Sequence, residues 1–153
     1  MATVQSTVQS VLDRYVAAVE ASDVEGLMAL YADDVHVFDL IEPFERHGIE
    51  SGREMITVWL NESGRQECAI EDLEVLDEAD LAVARASVRY GINMDEGTHH
   101  IMWNRLTWTL RRIDGDWKIV AEHSSVPLSN PDMQPIFDGR HHEALASRTH
   151  DKD

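Results

Sequence analysis

Basic residues are scarce in this chain of 153 residues. Lysine and arginine together number 13 against 29 aspartates and glutamates, which gives a net charge of −16. Lys118 and Lys152 are the only lysines, and the arginines are scattered along the chain. Because binding to phosphates needs clustered lysines and arginines, nucleic acid is not an expected partner.

Cysteine and long apolar runs are scarce as well. The one cysteine, Cys68, excludes an internal disulfide, and with no identifiable base as partner it is expected to be inert packing. No apolar stretch approaches the length that crosses a bilayer, and the N-terminal residues MATVQSTVQS lack the features of a signal peptide. The sequence therefore predicts a cytoplasmic protein with no membrane partner.

Helical periodicity dominates the first third of the chain. Apolar residues at steps of three and four predict a first helix; they are Val4, Val8, Val11, Leu12, Tyr15, Val16 and Val19. Ser22 with Glu25, and Ser51 with Glu54, have the spacing of capping boxes and predict the starts of a second and a third helix.

A short strand between these helices ends in an acid. Residues 32–34 (ADD) end the second helix, and a strand is predicted from Val35 to Asp39. Side chains alternate along a strand, so Asp39 shares a face with Val35 and Val37. A carboxylate on an apolar face indicates either a pocket residue or a strand-end acid bonded to backbone or water.

Antiparallel strands are predicted for the rest of the domain. They cover residues 67–76, 81–94, 99–113 and 116–126. A bulge is expected near Asp72, and Asp114-Gly115 is a typical hairpin turn. The fold class is therefore α+β, with three N-terminal helices packed on a strongly curved, mostly antiparallel sheet. Residues 1–127 form the domain, and 128–153 form a polar C-terminal tail in which a short helix near 140–147 is possible.

The hairpin at Asp114-Gly115 assigns side chains to two faces if its turn has two residues. The inner, mostly apolar face then contains Leu106, Trp108, Leu110, Arg112, Trp117, Ile119, Ala121 and His123. The outer face contains Arg105, Thr107, Thr109, Arg111, Lys118, Val120, Glu122 and Ser124. The inner set, with Trp59 and Trp103, is expected to form core or the wall of a substrate pocket, and the outer set faces water or a second subunit. A three-residue turn would reverse the assignment for one strand.

Three segments carry a resemblance to a known family. RYVAAVEASDVEGLMALYADDVHVFD, Arg14 to Asp39, resembles the start of the bacterial ketosteroid isomerases, which belong with the SnoaL-like proteins to the nuclear-transport-factor-2-like (NTF2-like) superfamily. SGREMITVW resembles the third helix of this family, and RLTWTLRRIDGDWKIVAEHSSVP resembles the closing hairpin of its SnoaL-like members. The resemblance covers residues 5–127. It implies a cone-shaped fold and a homodimer packed through the outer sheet face.

The resemblance also assigns roles to two residues. Asp39 falls where the isomerases keep a proton-transferring carboxylate, and Tyr15 falls where their first helix supplies a phenol to the oxyanion hole. An apolar pocket would raise the basicity of the carboxylate, while the phenol would stabilise an enolate. The isomerases use a second, acidic oxyanion donor; the matching position here is Thr109, or Trp108 or Leu110 after a slip of one residue. Steroid isomerisation is therefore not expected, although the Trp108 indole could replace the missing donor.

Metal binding is not predicted from the adjacent histidine pairs. His99-His100 and His141-His142 would point to opposite faces of a strand, so neither pair can readily hold one ion. The acidic run from Glu71 to Asp80 lacks the ligand spacing of a calcium loop. We therefore expect neither a metal nor an organic cofactor.

Two functions follow from the sequence. The first is an acid–base enzyme of the isomerase, cyclase or dehydratase type that acts on a small apolar or aromatic carbonyl compound. Asp39 would be the base, Tyr15 the oxyanion donor and His123 a second acid or base. The alternative for Tyr15 and for His123 is a hydrogen-bonded core residue, and a lone histidine among apolar residues is more often of that kind. The alternative is a non-catalytic ligand-binding or dimerisation module of the same fold. An open cavity containing Asp39 and Tyr15 would favour the enzyme.

Overall fold

A single sheet of six strands organises the computed structural model, which describes residues 3–62, 64–94 and 97–139. The strands are β1 (Tyr31–Phe38), β2 (Arg46–His47), β3 (Arg65–Glu78), β4 (Leu81–Met94), β5 (Thr98–Ile113) and β6 (Asp116–Ser125). Their order across the sheet is β2-β1-β6-β5-β4-β3. β1 and β6 are parallel and all other neighbours are antiparallel. This mixed, mostly antiparallel sheet with helices on one face confirms the predicted α+β class.

Three α-helices pack around the inner face of the sheet. They are α1 (Val4–Glu20), α2 (Val24–Met28) and α3 (Arg53–Glu62), with a 3-10 turn at Ile49–Gly52 before α3. The predicted apolar stripe of α1 is largely buried and packs on β3, β4 and β6. None of the helices in the described ranges is long and apolar enough to cross a membrane.

The starts of α2 and α3 differ from the predicted capping boxes. Asp23 caps α2, since its carboxylate accepts a hydrogen bond from a backbone N–H in the first turn. The Ser22 hydroxyl instead donates to the carbonyl of Leu60, which ties α2 to α3. Ser51 donates to a loop carbonyl, and α3 begins at Arg53. β1 also begins earlier than predicted, at Tyr31.

The predicted bulge in β3 is present. Pairing with β4 shifts between Glu71 and Glu74. Asp72 has a positive φ of 53°, a conformation that aspartate tolerates better than most residues. Before this bulge, Cys68 is buried, and burial raises the pKa of its thiol to about 12, in keeping with an inert packing residue.

A second bulge, which the sequence analysis did not predict, lies at Val120 in β6. Leu110 pairs with Ile119 as predicted, but the next residue back along β5, Thr109, pairs with Ala121. Val120 is therefore an extra residue between two regular pairs. Because side chains alternate again only after the extra residue, every later residue of β6 points to the opposite face from the one predicted.

This bulge changes which β6 residues face the helices. Glu122 and Ser124 lie on the inner face, where Ser124 is buried. His123 lies on the outer face and is exposed, with its ring against Phe38 at a centroid distance of 5.6 Å. The predicted positions of these three β6 residues were therefore wrong, and the cause is one extra residue.

The first part of the predicted tail packs on the domain. The N–H of Trp103 in β5 donates to the carbonyl of Phe137, and residues 127–136 form a small turn closed by backbone hydrogen bonds. The ring of Trp103 lies so close to Gly139 that an added Cβ would come within 2.8 Å of it. The short helix predicted near 140–147 lies outside the described residues.

Candidate functional site

A cavity of about 620 Å³ lies between the helices and the inner face of the sheet. Its walls are mostly apolar, and they include Leu27, Val35, Val37, Ile56, Trp59 and Leu106. A smaller set of polar side chains also reaches it: Tyr15, Tyr31, Asp39, Arg46, Tyr90, Asn104, Glu122 and Ser124. This volume, with few polar groups in an apolar wall, suits a small, largely apolar ligand.

Glu122 is one of the acids that line this cavity. The hydroxyl of Tyr31 donates to its Oε2 at 2.5 Å, and Nε1 of Trp108 donates to the same oxygen at 2.9 Å. Oε1 receives no hydrogen bond from the described residues. Glu122 therefore has one oxygen fixed by the protein and a second one available to a ligand.

Burial raises the pKa of Glu122 to about 7. The negative charge of Asp39 acts in the same direction, whereas the hydrogen bonds from Tyr31 and Trp108 oppose it. Near neutral pH this carboxyl group is therefore present in both protonation states. A group in that condition can either accept or donate a proton during a reaction.

Two phenols form a hydrogen-bonded pair in the same cavity. The hydroxyl oxygens of Tyr15 and Tyr90 are 2.6 Å apart. Burial raises the pKa values of both phenols well above their ordinary value, so both stay neutral. One hydroxyl hydrogen is used within the pair, and the other is free to bond an oxygen atom of a ligand.

Asp39 lines the cavity, and its carboxylate is already bonded. Oδ2 accepts from Nη2 of Arg46 at 3.2 Å, and Oδ1 accepts from the Ser124 hydroxyl at 3.0 Å and the Ile41 N–H at 3.3 Å. The Arg46 side chain is 9% exposed and that of Asp39 is 20% exposed. This geometry combines the two readings of Asp39, since it is both a cavity residue and a strand-end acid bonded to the backbone.

Asn104 adds a polar group that lacks a partner. Its side chain is buried in the cavity wall, and its Oδ1 has no hydrogen-bond partner among the described residues. A buried amide oxygen without a partner is costly, so a donor group on a ligand would relieve it.

The predicted pocket residues divide into two groups. Trp59 and Leu106 line the cavity, and Trp59 packs edge-on against Tyr90 with ring centroids 5.5 Å apart. The others do not line it: Trp108, Leu110, Trp117 and Ile119 belong to the buried core, and Trp103 contacts the C-terminal segment. The indole of Trp108, which the sequence offered as an oxyanion donor, is bonded to Glu122 instead.

Sequence reasoning missed Glu122 because it assumed a regular strand. The residues before it carry a signal of the bulge: Val120 and Ala121 follow Ile119 directly and interrupt the alternation of apolar and polar side chains. An interruption of this kind indicated the bulge at Asp72. The same signal favours a bulge in β6, and the pairing of β6 with β5 shows that this bulge moves Glu122 inward and His123 outward.

Helices that pack on a curved mixed sheet around an apolar cavity with acidic and phenolic groups define a class, the NTF2-like proteins. Within this class, the family model described as the SnoaL-like domain matches residues 8–129, and the chain belongs to that family. A search of curated proteins found no match.

Solved structures of similar proteins agree with this membership. An NTF2-like protein of unknown function from Pseudomonas putida is 28% identical, with a TM-score of 0.78 over 87% of this chain and 93% of that one. A protein from Streptomyces avermitilis, provisionally described as an NTF2-like dehydratase, is 16% identical, with a TM-score of 0.71 over 82% and 97%. A protein from Novosphingobium aromaticivorans, provisionally described as a scytalone dehydratase, is 14% identical, with a TM-score of 0.73 over 87% and 91%. At these low identities the last two support the fold alone.

Proposed function

We propose that this protein is an acid–base enzyme of the isomerase, cyclase or dehydratase type that acts on a small apolar carbonyl compound. The observation that carries the proposal is Glu122, a carboxyl group enclosed by the cavity whose pKa burial raises to about 7. General acid–base catalysis is most effective when the pKa of the group lies near the working pH. The reaction needs an acid–base group and a donor for the developing oxyanion, and the cavity contains both.

In this proposal Glu122 removes a proton from the carbon next to the substrate carbonyl. Its Oε1 accepts the proton, while Tyr31 and Trp108 hold Oε2. The carbonyl oxygen becomes negative as the proton leaves, and the free hydroxyl hydrogen of the Tyr15–Tyr90 pair stabilises it. Return of the proton from Glu122 to another carbon completes an isomerisation. In a dehydration Glu122 instead passes the proton to a hydroxyl group on the neighbouring carbon, which leaves as water.

Asp39 and His123 have smaller roles here than the sequence suggested. Because the Asp39 carboxylate is bonded to Arg46, Ser124 and a backbone N–H, it is a poorer proton acceptor than Glu122. Its charge instead helps to raise the pKa of Glu122. We give His123 no part in proton transfer, because it is exposed on the face opposite to the cavity.

The alternative is a module that binds a ligand without changing it. Its apolar cavity would serve equally well for binding alone. The enzyme is favoured because Tyr15, Asp39 and Glu122 all line an open cavity, whereas a binding module needs no titrating carboxyl group there. The relatives provisionally described as dehydratases are compatible with this preference.

A two-step experiment tests the proposal. A thermal-shift screen over ketones, polyketide-like aromatics and steroids first identifies compounds that bind. Each of them is then incubated with the protein in D2O, and deuterium incorporation next to the carbonyl is followed by mass spectrometry. Glu122→Gln should slow incorporation by about a hundredfold or more while ligands still bind.

Glu71→Gln is the matched control, because Glu71 is exposed on β3 and outside the cavity. It should exchange deuterium at the rate of the unmodified protein. If compounds bind but none exchanges deuterium or is converted, the enzyme proposal is wrong and the binding module stands.

We further propose a homodimer that packs through the outer sheet face. Arg105, Thr107 and Arg111 are exposed on that face of β5, and Ile101 is 44% exposed there. The guanidinium groups of arginines and the hydroxyl groups of threonines suit a polar two-fold interface. Light scattering at micromolar concentration should give the mass of a dimer, and a monomer mass would contradict the proposal.

A further inference from the structure

Three potential metal ligands meet on the outside of the β1–β2 hairpin. His36 in β1 pairs across the strands with His47 in β2, and their imidazole rings stack with centroids 4.1 Å apart and an interplanar angle of 19°. Oε2 of Glu45 lies 2.8 Å from Nε2 of His36 and 3.6 Å from Nε2 of His47. All three ligand atoms lie within 4.8 Å of one another.

We propose that His36, Glu45 and His47 bind a divalent transition-metal ion of the zinc type. Zinc is held by imidazole nitrogens at about 2.0–2.1 Å and carboxylate oxygens at about 2.0–2.2 Å, so ligand atoms around one tetrahedral ion lie roughly 3.3 Å apart. The two separations from Glu45 fall on either side of this value. Two imidazoles with one carboxylate select zinc over magnesium and calcium, which prefer oxygen ligands.

The packing around the cluster orients its ligands in advance. Phe38 lies against the ring of His36 at a centroid distance of 4.5 Å, and the ring of His47 stacks on that of His36. Side-chain exposures of 35% for His36, 44% for Glu45 and 68% for His47 leave the open coordination positions to water. A net charge of −16 adds a general attraction for cations.

Arg46 connects this site to the cavity. It lies between Glu45 and His47 in the sequence, and because side chains alternate along a strand its guanidinium points inward to Asp39. A metal ion on the outer side would therefore hold β2 against β1. It would also fix the loop that supplies Leu40 and Ile41 to the cavity wall. The site would act as a clamp on the cavity rim, separate from the proton-transfer chemistry.

Zinc titration of the full-length chain by isothermal calorimetry near neutral pH tests the site. His47→Gln should weaken zinc binding at this site at least tenfold, and Glu45→Gln should weaken it as well. His100→Gln is the matched control, because His100 is an exposed histidine on β5 outside the cluster. It should bind zinc as the unmodified chain does, and magnesium should give no comparable signal.

Hydrogen exchange locates the ion. Zinc should slow amide exchange in residues 40–47 of the unmodified chain and of His100→Gln, but not of His47→Gln. If His47→Gln and Glu45→Gln bind zinc with unchanged affinity and stoichiometry, the ion binds elsewhere and the proposal is wrong. Binding without slower exchange in the loop would overturn the clamp.

Discussion

Glu122 couples ligand binding to protonation. Its carboxyl group lines the cavity, is held by Tyr31 and Trp108 at one oxygen and accepts no hydrogen bond from the described residues at the other. An apolar ligand that displaces water from the cavity would deprive the charged form of its remaining solvation. Binding should then take up a proton near neutral pH, so affinity should depend on pH even for a ligand with no charge.

The pKa of Glu122 makes stability depend on pH. Burial raises this pKa from 4.5 to about 7 in the folded chain. Between these values the folded state keeps a proton that the unfolded state has lost, so the free energy of unfolding falls as pH rises. The loss is complete above about pH 7 and amounts to about 3 kcal/mol at 1.36 kcal/mol per pKa unit.

Glu122→Gln removes this contribution. Urea unfolding at several pH values between about 4 and 8 measures the free energy of unfolding. This free energy should fall with rising pH more steeply in the unmodified chain than in the variant. Glu71→Gln, which changes an exposed glutamate, should decline in parallel with the unmodified chain. If the free energy of unfolding changes with pH by the same amount in all three proteins, the raised pKa of Glu122 is contradicted.

Asp39→Asn should destabilise the fold. The change removes the charge that pairs with Arg46, whose side chain is 9% exposed and would lose its ion-pair partner. We expect a loss of about 1–3 kcal/mol in urea unfolding at neutral pH. Ser124→Ala removes one hydrogen bond to the same carboxylate and should cost less, about 1 kcal/mol. A gain in stability for Asp39→Asn would instead favour Asp39 as the catalytic base.

At the level of elements, the alternation of side chains predicted where the strands begin and end better than it predicted how the strands pair. The bounds of β4 were predicted to the residue and those of β3, β5 and β6 within two, because alternation and turn residues are local signals. The bulge at Asp72 was predicted because an acid interrupts an apolar pattern. The bulge at Val120 was missed because valine and alanine fit either face of a strand, so only pairing with β5 and β1 decides their side.

The candidate site was predicted only in part, because some of its residues depend on pairing between distant segments of the chain. Asp39 was found from strand alternation, and the resemblance, which covers the N-terminal elements most closely, assigned roles to Asp39 and Tyr15. Glu122 depends on the β6 bulge, and Tyr90 depends on a contact between residues 75 positions apart in the chain. Such contacts between distant segments leave little trace in one sequence.

The cap of α2 gives a test at the scale of one element. Asp23→Ala removes the hydrogen bond to the N–H of Gly26 and should cost about 1 kcal/mol in thermal or urea unfolding. Asp23→Asn keeps an oxygen at the same place and should stay within a few tenths of a kcal/mol. A similar loss of stability in both variants would mean that Asp23 stabilises α2 through its charge and not through the capping hydrogen bond.

For the whole molecule, the segment of residues 127–139 packs on the sheet. Residues 127–139 bond to the edge of β5 beyond the end of β6 and contact Trp103. Residues 128–139, which the sequence analysis assigned to the polar tail, therefore contact the domain.

Two truncations separate the parts of this segment. Removal of residues 140–153, which have few apolar side chains, should change the melting temperature by no more than about 2 °C from that of the full-length chain. Removal of residues 127–153 should lower it by about 5 °C or more and shift the emission of Trp103 to longer wavelength, because the indole gains contact with water. Equal melting temperatures for both truncations would show that residues 127–139 contribute nothing to stability.

The parallel pairing of β1 with β6 has a consequence for how the chain reaches its native state. The hydrogen bond between Tyr31 and Glu122 joins residues 91 positions apart, and the β1–β6 ladder has a similar span. Contacts of such separation form slowly, because a long stretch of chain must be ordered before they are gained. During synthesis β1 emerges early and must wait for β6, the last strand among the described residues, so a ribosome-bound chain lacks a cavity until residue 125 has emerged. Ligand binding should therefore be the last property acquired during refolding.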